Sequence, residues 1–267
     1  MTLITDNDTA YSLRGSGPTV VLIHGLGLNQ EMWDFQISEM TPFFEVLSYD
    51  LLGHGESTKV CDNYCLNSFV DQLDELLNKR EVKNCALVGF SLGGLIARAF
   101  TVKYPDRIQA LVILNSPHDR TDKQREVVRK RVKQVEISGS EATVEDAINR
   151  WFTEEFLKEN LKLSNRIRDW ILSNEKTTYA RLYEVLAEGD IELISSIKAI
   201  RCPTMIVACE MDSGNSPLMA EQMAGLIPDS EIRIIPELRH LGLMENPAVF
   251  NNTFVPFLQK LLCKKIT

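Results

Sequence analysis

The sequence predicts an α/β protein, a mostly parallel sheet with helices on both faces, interrupted by a helical insertion. Short β-branched runs alternate with amphipathic stretches between Thr19 and Leu114, and the same alternation resumes at Pro203. Between them, residues 118–200 carry helical periodicity and no strand signal. Parallel strands need crossover connections, and right-handed crossovers dominate, so successive β-α-β units give a sheet covered on both sides. The expected division is a core of residues 1–117 and 201–267 with a helical cap of residues 118–200, lying over the carboxyl ends of the strands where open α/β folds bind ligands.

Each element has a local cause. Thr19-Val-Val-Leu-Ile-His24 is an apolar, β-branched run ending at Gly25, the pattern of a buried strand. Asn29 to Met40 spaces Met32, Phe35, Ile37 and Met40 at helical intervals behind an Asn suited to N-capping, and Pro42 ends it. Glu45 to Asp50 is the next strand, followed by the Gly-rich turn Leu51-Leu-Gly-His-Gly-Glu-Ser57, in which Asp50, Gly53 and Gly55 are expected to shape a tight bend. Leu66 to Arg80 aligns Phe69, Leu73, Leu76 and Leu77 on one helical stripe. Cys85 to Val88 is a strand, Leu92 to Tyr104 a helix stopped by Pro105, and Ile108 to Leu114 a strand. The insertion reads as helices at 122–137, 144–153, 164–173 and 177–187. Strands at 203–209 and 231–235 and helices at 218–226 and 248–262 complete the chain.

Composition narrows the function. With 267 residues, 44% apolar and 25% charged, the chain has ordinary globular proportions. A net charge of −8 argues against nucleic acid as partner, because phosphate-backbone binding needs clustered cations. No apolar run is long enough to span a bilayer, so no membrane partner is expected. The N-terminus lacks the basic start and apolar stretch of a signal peptide, which predicts a cytoplasmic protein. Cys61, Cys65, Cys85, Cys202, Cys209 and Cys263 are scattered; Cys61 and Cys65 form a lone pair with no nearby His, so reduced thiols are expected and a zinc site is not.

The sharpest chemical signal is Gly89-Phe-Ser91-Leu-Gly93-Gly94, directly after a strand and before a helix, which is the G-x-S-x-G nucleophile elbow in its required context. The turn is so tight that residues two before and two after the serine must lack side chains, and it lifts Ser91 to the positive end of a helix. A neutral serine needs a base, and His240, following the strand 231–235, stands where the order serine, acid, histidine requires it. His24, His54 and His118 read as structural. Asp212 in Cys209-Glu-Met-Asp-Ser-Gly-Asn-Ser-Pro217 is the orienting acid, with Glu210 as its rival nearer the strand end. An acyl-transfer oxyanion needs two donors; the backbone N–H of Leu92 follows the nucleophile, and that of Leu26 lies in His24-Gly-Leu-Gly27.

Together with Tyr49-Asp-Leu-Leu-Gly-His-Gly-Glu-Ser57, these segments resemble the α/β-hydrolase superfamily from about residue 15 to the C-terminus. Within it, Asn29-Gln-Glu-Met-Trp-Asp-Phe-Gln36 and Arg150-Trp-Phe-Thr-Glu-Glu-Phe156 resemble the group of 3-oxoadipate enol-lactonases and small carboxylesterases. The resemblance implies a Ser91, Asp212, His240 triad, no cofactor, and a cap inserted after the sixth strand of the hydrolase sheet. It departs from the family at Arg239, where a small residue is usual, at Glu210, where Gly is common, and over Thr177 to Gly189.

The expected function is hydrolysis of a small carboxylic ester or lactone through an acyl-enzyme. Carbon-carbon hydrolysis of a diketone-like ring-fission product and a catalytically silent ligand-binding homologue are the alternatives. Ser at position 91 excludes an Asp-nucleophile mechanism. Residues 120–133 hold seven basic and two acidic side chains, either a solvated helix face or a draw for anionic substrates. Trp151 either lines the acyl pocket or packs the cap on the core.

Overall fold

The computed structural model describes residues 9–58 and 64–263 and the backbone of Leu3–Ile4; Cys61 and the extreme N-terminal residues lie outside that description. One eight-stranded sheet runs in the order β1-β2-β4-β3-β5-β6-β7-β8. The strands are β1 (Leu3–Ile4), β2 (Ala10–Gly15), β3 (Thr19–Ile23), β4 (Glu45–Tyr49), β5 (Cys85–Phe90), β6 (Ile108–Leu114), β7 (Thr204–Cys209) and β8 (Ser230–Ile235). All pairs from β4 through β8 are parallel. The N-terminal β1 and β2 are antiparallel and had no counterpart in the sequence reading. Ala-Tyr-Ser-Leu-Arg-Gly in β2 is half-buried and polar at its end, so its pairing with β4, rather than any apolar run, defines it as a strand.

The central strands are buried along nearly their whole length, as expected for a parallel sheet covered on both sides. Helix α1 (Asp34–Met40) packs with α11 (Pro247–Leu262), while α2 (Leu66–Lys79) packs with α3 (Leu92–Lys103). Strand β6 meets α3 from one group and α11 from the other. Asn29 does accept from Glu31 N–H at 3.0 Å, but the first turn, Gln30–Trp33, is 3₁₀ and the α-helix begins only at Asp34. The Asp50 carboxylate draws the Gln30 N–H to 2.8 Å and tightens that turn.

Between β6 and β7 lie α4 (Asp122–Ser138), α5 (Val144–Trp151), α6 (Glu154–Glu159), α7 (Leu161–Leu172) and α8 (Lys176–Glu188). Helix α6 and helix α10 (Gly242–Glu245) are absent from the periodicity, both being too short to show one. Helix α9 (Pro217–Leu226) connects β7 to β8. Helix α4 packs on α8 and α5 on α7. The basic stretch Arg120 to Lys133 is divided by this packing. Arg120 and Arg125 are buried against Asp190 at 3.2 and 2.8 Å, Arg129 pairs on the surface with Glu188, and Lys123, Lys130 and Lys133 are exposed.

No helix among the described residues is long and apolar enough to cross a membrane. Cys65, Cys85, Cys202, Cys209 and Cys263 are free thiols.

Candidate active site

Ser91 caps the N-terminus of α3 with φ 54° and ψ −112°, a left-handed conformation that costs a non-glycine residue about 1–3 kcal/mol. The surrounding glycines allow it. A Cβ at Gly89 would stand 2.3 Å from the Gly93 carbonyl oxygen, and one at Gly93 would stand 2.1 Å from that of Ile23. Beneath the turn, the buried Arg98 donates to Ser116 Oγ at 3.0 Å, and Ser116 Oγ donates to the Ser91 carbonyl at 2.8 Å. This support was missed in the sequence, where Arg98 falls on a helix with no local motif.

The structure brings Ser91, Asp212 and His240 together from the segments that follow the carboxyl ends of β5, β7 and β8. His240 Nε2 lies 3.2 Å from Ser91 Oγ, and Nδ1 lies 2.6 Å from Asp212 Oδ2. A carboxylate only accepts, so Nδ1–H donates to Asp212 and leaves Nε2 as an acceptor for the Ser91 hydroxyl. Asp212 also accepts from the backbone N–H groups of Gly214 and Asn215, both at 3.0 Å, and from Asn115 Nδ2 at 3.2 Å. Burial by itself works to raise this carboxyl, but the charge and hydrogen bond of His240 and the donors of Asn215 and Asn115 outweigh it and hold the group below its ordinary value. Glu210 is exposed and turned away, accepting from the Glu237 N–H at 3.1 Å. Arg239 donates to the carbonyls of Asn149 and Phe152 at 2.6 and 3.0 Å, tying the end of α5 to the His240 loop.

The loop after β3 abuts the elbow: a Cβ on Gly25 would meet the Ser91 Cβ at 3.3 Å. Gly27 N–H donates to His54 Nε2 at 3.0 Å, and Gly94 N–H to the Ser91 carbonyl at 3.0 Å. Among the described residues no hydrogen bond engages the N–H of Leu26 or Leu92, the two expected oxyanion donors. Trp151 also reaches the site, its ring centroid 6.0 Å from that of His240, and lines the cleft over Ser91 with Leu26, Phe90, Tyr179 and Tyr183. Arg131 and Arg150 line it as well. Neither is marked as a site residue by any motif in the sequence, because pocket lining depends on how α4, α5 and α8 pack.

His24, His54 and His118 make none of the contacts that join Ser91, His240 and Asp212. His24 Nε2 accepts from Leu51 N–H at 2.9 Å, and the His24 and His54 rings meet edge-on at 5.1 Å. Protonation would set an N–H against an N–H in each case. Burial lowers His24 to about 4, and burial with the neighbouring His24 lowers His54 to about 3. Both are neutral when folded and take up protons near 6.5 when unfolded, so their stabilisation is complete above pH 6.5 and lost as pH falls toward 4 for His24 and toward 3 for His54. Lowering pH from 7 to 5.5 is expected to reduce unfolding free energy by roughly 1 kcal/mol for each ring. Urea denaturation at the two pH values measures it, and an unchanged midpoint would contradict it.

Residues 18–247 match the family model described as alpha/beta hydrolase fold. The chain is 28% identical over 257 residues to (E)-2-((N-methylformamido)methylene)succinate hydrolase of Acinetobacter baylyi, covering 96% of each. It is 23% identical to 3-oxoadipate enol-lactonase 2 of the same organism, covering 93% of each. Among solved structures, a thermophilic esterase from Thermogutta terrifontis with malate bound superposes with TM-score 0.86 at 28% identity, covering 98% of each chain. The fold is also shared with the enol-lactonase from Burkholderia xenovorans, TM-score 0.87 at 24% identity, covering 97% of this chain and all of that one. With its elbow, sheet order and family match in agreement, the chain belongs to the alpha/beta hydrolase fold family.

Proposed function

We propose that this hydrolase cleaves a small carboxylic ester or lactone, with Ser91 as nucleophile, His240 as base and Asp212 as its orienting acid. The observation that carries the reading is the relay itself, 3.2 Å from Ser91 Oγ to His240 Nε2 and 2.6 Å from Nδ1 to Asp212, mounted on a strained elbow.

His240 Nε2 takes the Ser91 proton as Oγ attacks the carbonyl carbon. The N–H groups of Leu26 and Leu92 receive the tetrahedral oxyanion, each such donor contributing about 2.7–4 kcal/mol. Asp212 accepts from the imidazolium that forms. His240 passes the proton to the leaving alkoxide oxygen as the carbonyl–oxygen bond breaks; in a lactone that alcohol stays tethered to the acyl group. Water then gives a proton to Nε2, its oxygen attacks the acyl-enzyme, and the acid leaves as the proton returns to Ser91.

The helices of residues 118–200 serve as a cap over this site, and Trp151 bounds the acyl pocket. The cavity above Ser91 is about 70 Å³, which favours a short acid over a long acyl chain. The esterase and enol-lactonase among the relatives support an ester or lactone carbonyl as the target, and the succinate derivative in one relative's name supports a small acid. A panel of p-nitrophenyl esters of increasing chain length, run beside small lactones and with a fluorophosphonate probe, tests the reading. Short esters or lactones are expected to turn over, and the probe to label Ser91; a folded protein that does neither is not this hydrolase.

A further inference from the structure

We propose that Arg131 and Arg150 form a seat for a carboxylate carried by the substrate, so that the ester or lactone cleaved at Ser91 is itself an anion. This rests on the reading of Ser91 as nucleophile, but the seat is argued from separate observations.

Three arginines line the cleft that holds Ser91: Arg120, Arg131 and Arg150. Arg120 is engaged by the buried Asp190. Among the described residues no carboxylate lies within ion-pair distance of Arg131 or Arg150, although eight other arginines have such a partner. Among the described residues Asp212 is the one acidic residue lining the cleft, and its oxygens are held by His240, Asn115 and donors of its own loop. Arg150 is only partly exposed, and its Nε is buried with no hydrogen-bond partner.

Two cations at the wall of one cleft repel each other. Burial, and after it the charge of Arg131, pushes the Arg150 guanidinium below its ordinary value, while the Tyr183 hydroxyl is its hydrogen-bonding neighbour. The structure thus keeps two forked donors partly desolvated and without a carboxylate at contact distance in the cleft that holds Ser91, the charge of the exposed Asp146 and the Tyr183 hydroxyl offsetting the burial of Arg150 only in part, in a chain whose net charge is −8. An oxyanion ligand offsets that cost, because guanidinium forks meet the paired oxygens of carboxylate or phosphate. Of the two, the planar carboxylate lies edge to edge with a guanidinium fork.

The test compares p-nitrophenyl butyrate with mono-p-nitrophenyl succinate, which has the same chain length and one negative charge. Wild type is expected to prefer the succinate. Arg131→Gln and Arg150→Gln should each lower the ratio of kcat/KM for succinate over butyrate by about tenfold to a hundredfold, mainly through KM, with part of it restored in Arg150→Lys. The ratio is internal to each preparation, so a partly unfolded variant does not imitate the effect. An unchanged ratio overturns the proposal. A second arm needs no turnover: succinate and inorganic phosphate are titrated into Ser91→Ala by calorimetry. Succinate binding that disappears in Ser91→Ala/Arg150→Gln supports the seat, and binding of phosphate alone or of neither overturns it. Should wild type hydrolyse neither ester while Ser91→Ala binds succinate, the hydrolase reading fails and the carboxylate seat stands.

Discussion

Replacing Ser91 with Ala is expected to lower kcat on a p-nitrophenyl ester by about 10⁴- to 10⁶-fold, because removing the proposed nucleophile abolishes the covalent route and leaves only what binding and the proposed oxyanion donors supply. Stability should stay close to wild type. The hydroxyl is nearly buried, but its contact of 3.2 Å with His240 is one an unprotonated Nε2 can forgo. Ser91→Gly separates chemistry from strain. It is equally inactive, yet glycine occupies φ 54°, ψ −112° without the Cβ penalty, so it should be more stable than Ser91→Ala by about 1 kcal/mol. Steady-state kinetics and thermal melts of both variants decide this. Residual activity within tenfold of wild type in Ser91→Ala would place the nucleophile elsewhere, and equal stability of the two variants would remove the argument that the elbow is strained.

Asp190→Ala is expected to cost about 3–5 kcal/mol, the penalty for stranding buried cations. Asp190 is fully buried just after α8, where it accepts from the Arg120 backbone N–H at 2.9 Å, from the Arg120 side chain at 3.2 Å and from Arg125 at 2.8 and 3.1 Å. Burial works against its charge, but the Arg125 hydrogen bond and the Arg120 charge outweigh it and hold its carboxyl below the ordinary value. The fully buried Arg98, which supports the elbow, is lowered to about 9 by burial and held up chiefly by the charge of Asp190. Loss of this carboxylate therefore loosens the α4–α8 pair and adds an uncompensated cation beneath Ser91. Urea denaturation of the variant measures the loss; a cost under 1 kcal/mol would show that the three arginines find other partners or water.

The elbow was legible because its cause is local. Gly89, Gly93 and Gly94 are there to avoid atoms two or three ångströms away, in the same turn or the neighbouring strand, and such steric demands leave a fixed spacing in the chain. The nearness of His240 to Ser91, 3.2 Å from Nε2 to Oγ, was legible from order along the chain. Asp212 was separable from Glu210 only as the better placed of two, since both leave the same strand end; the hydrogen bond to His240 at 2.6 Å assigns the contact, and Glu210 instead accepts from the Glu237 N–H. Arg239 looked like an anomaly beside His240 and proves to bind the carbonyl oxygens at the end of α5.

The basic stretch shows where reading along the chain stops. Its seven cations are equivalent in one dimension, yet Arg120 and Arg125 are structural, Arg129 is a surface partner of Glu188, and Arg131 faces the cleft. Which is which depends on Asp190, Glu188 and the packing of α4 on α8, more than fifty residues away in sequence. By itself the sequence determined the α/β architecture, the strained serine turn and the candidate acid and histidine proposed to serve it, because turns, periods and caps act over a few residues. Only the tertiary structure decided the edge pairing of β1 and β2, the support under the elbow and the two arginines left without an acid in the cleft, because burial and charge pairing are set by which distant segments share a core.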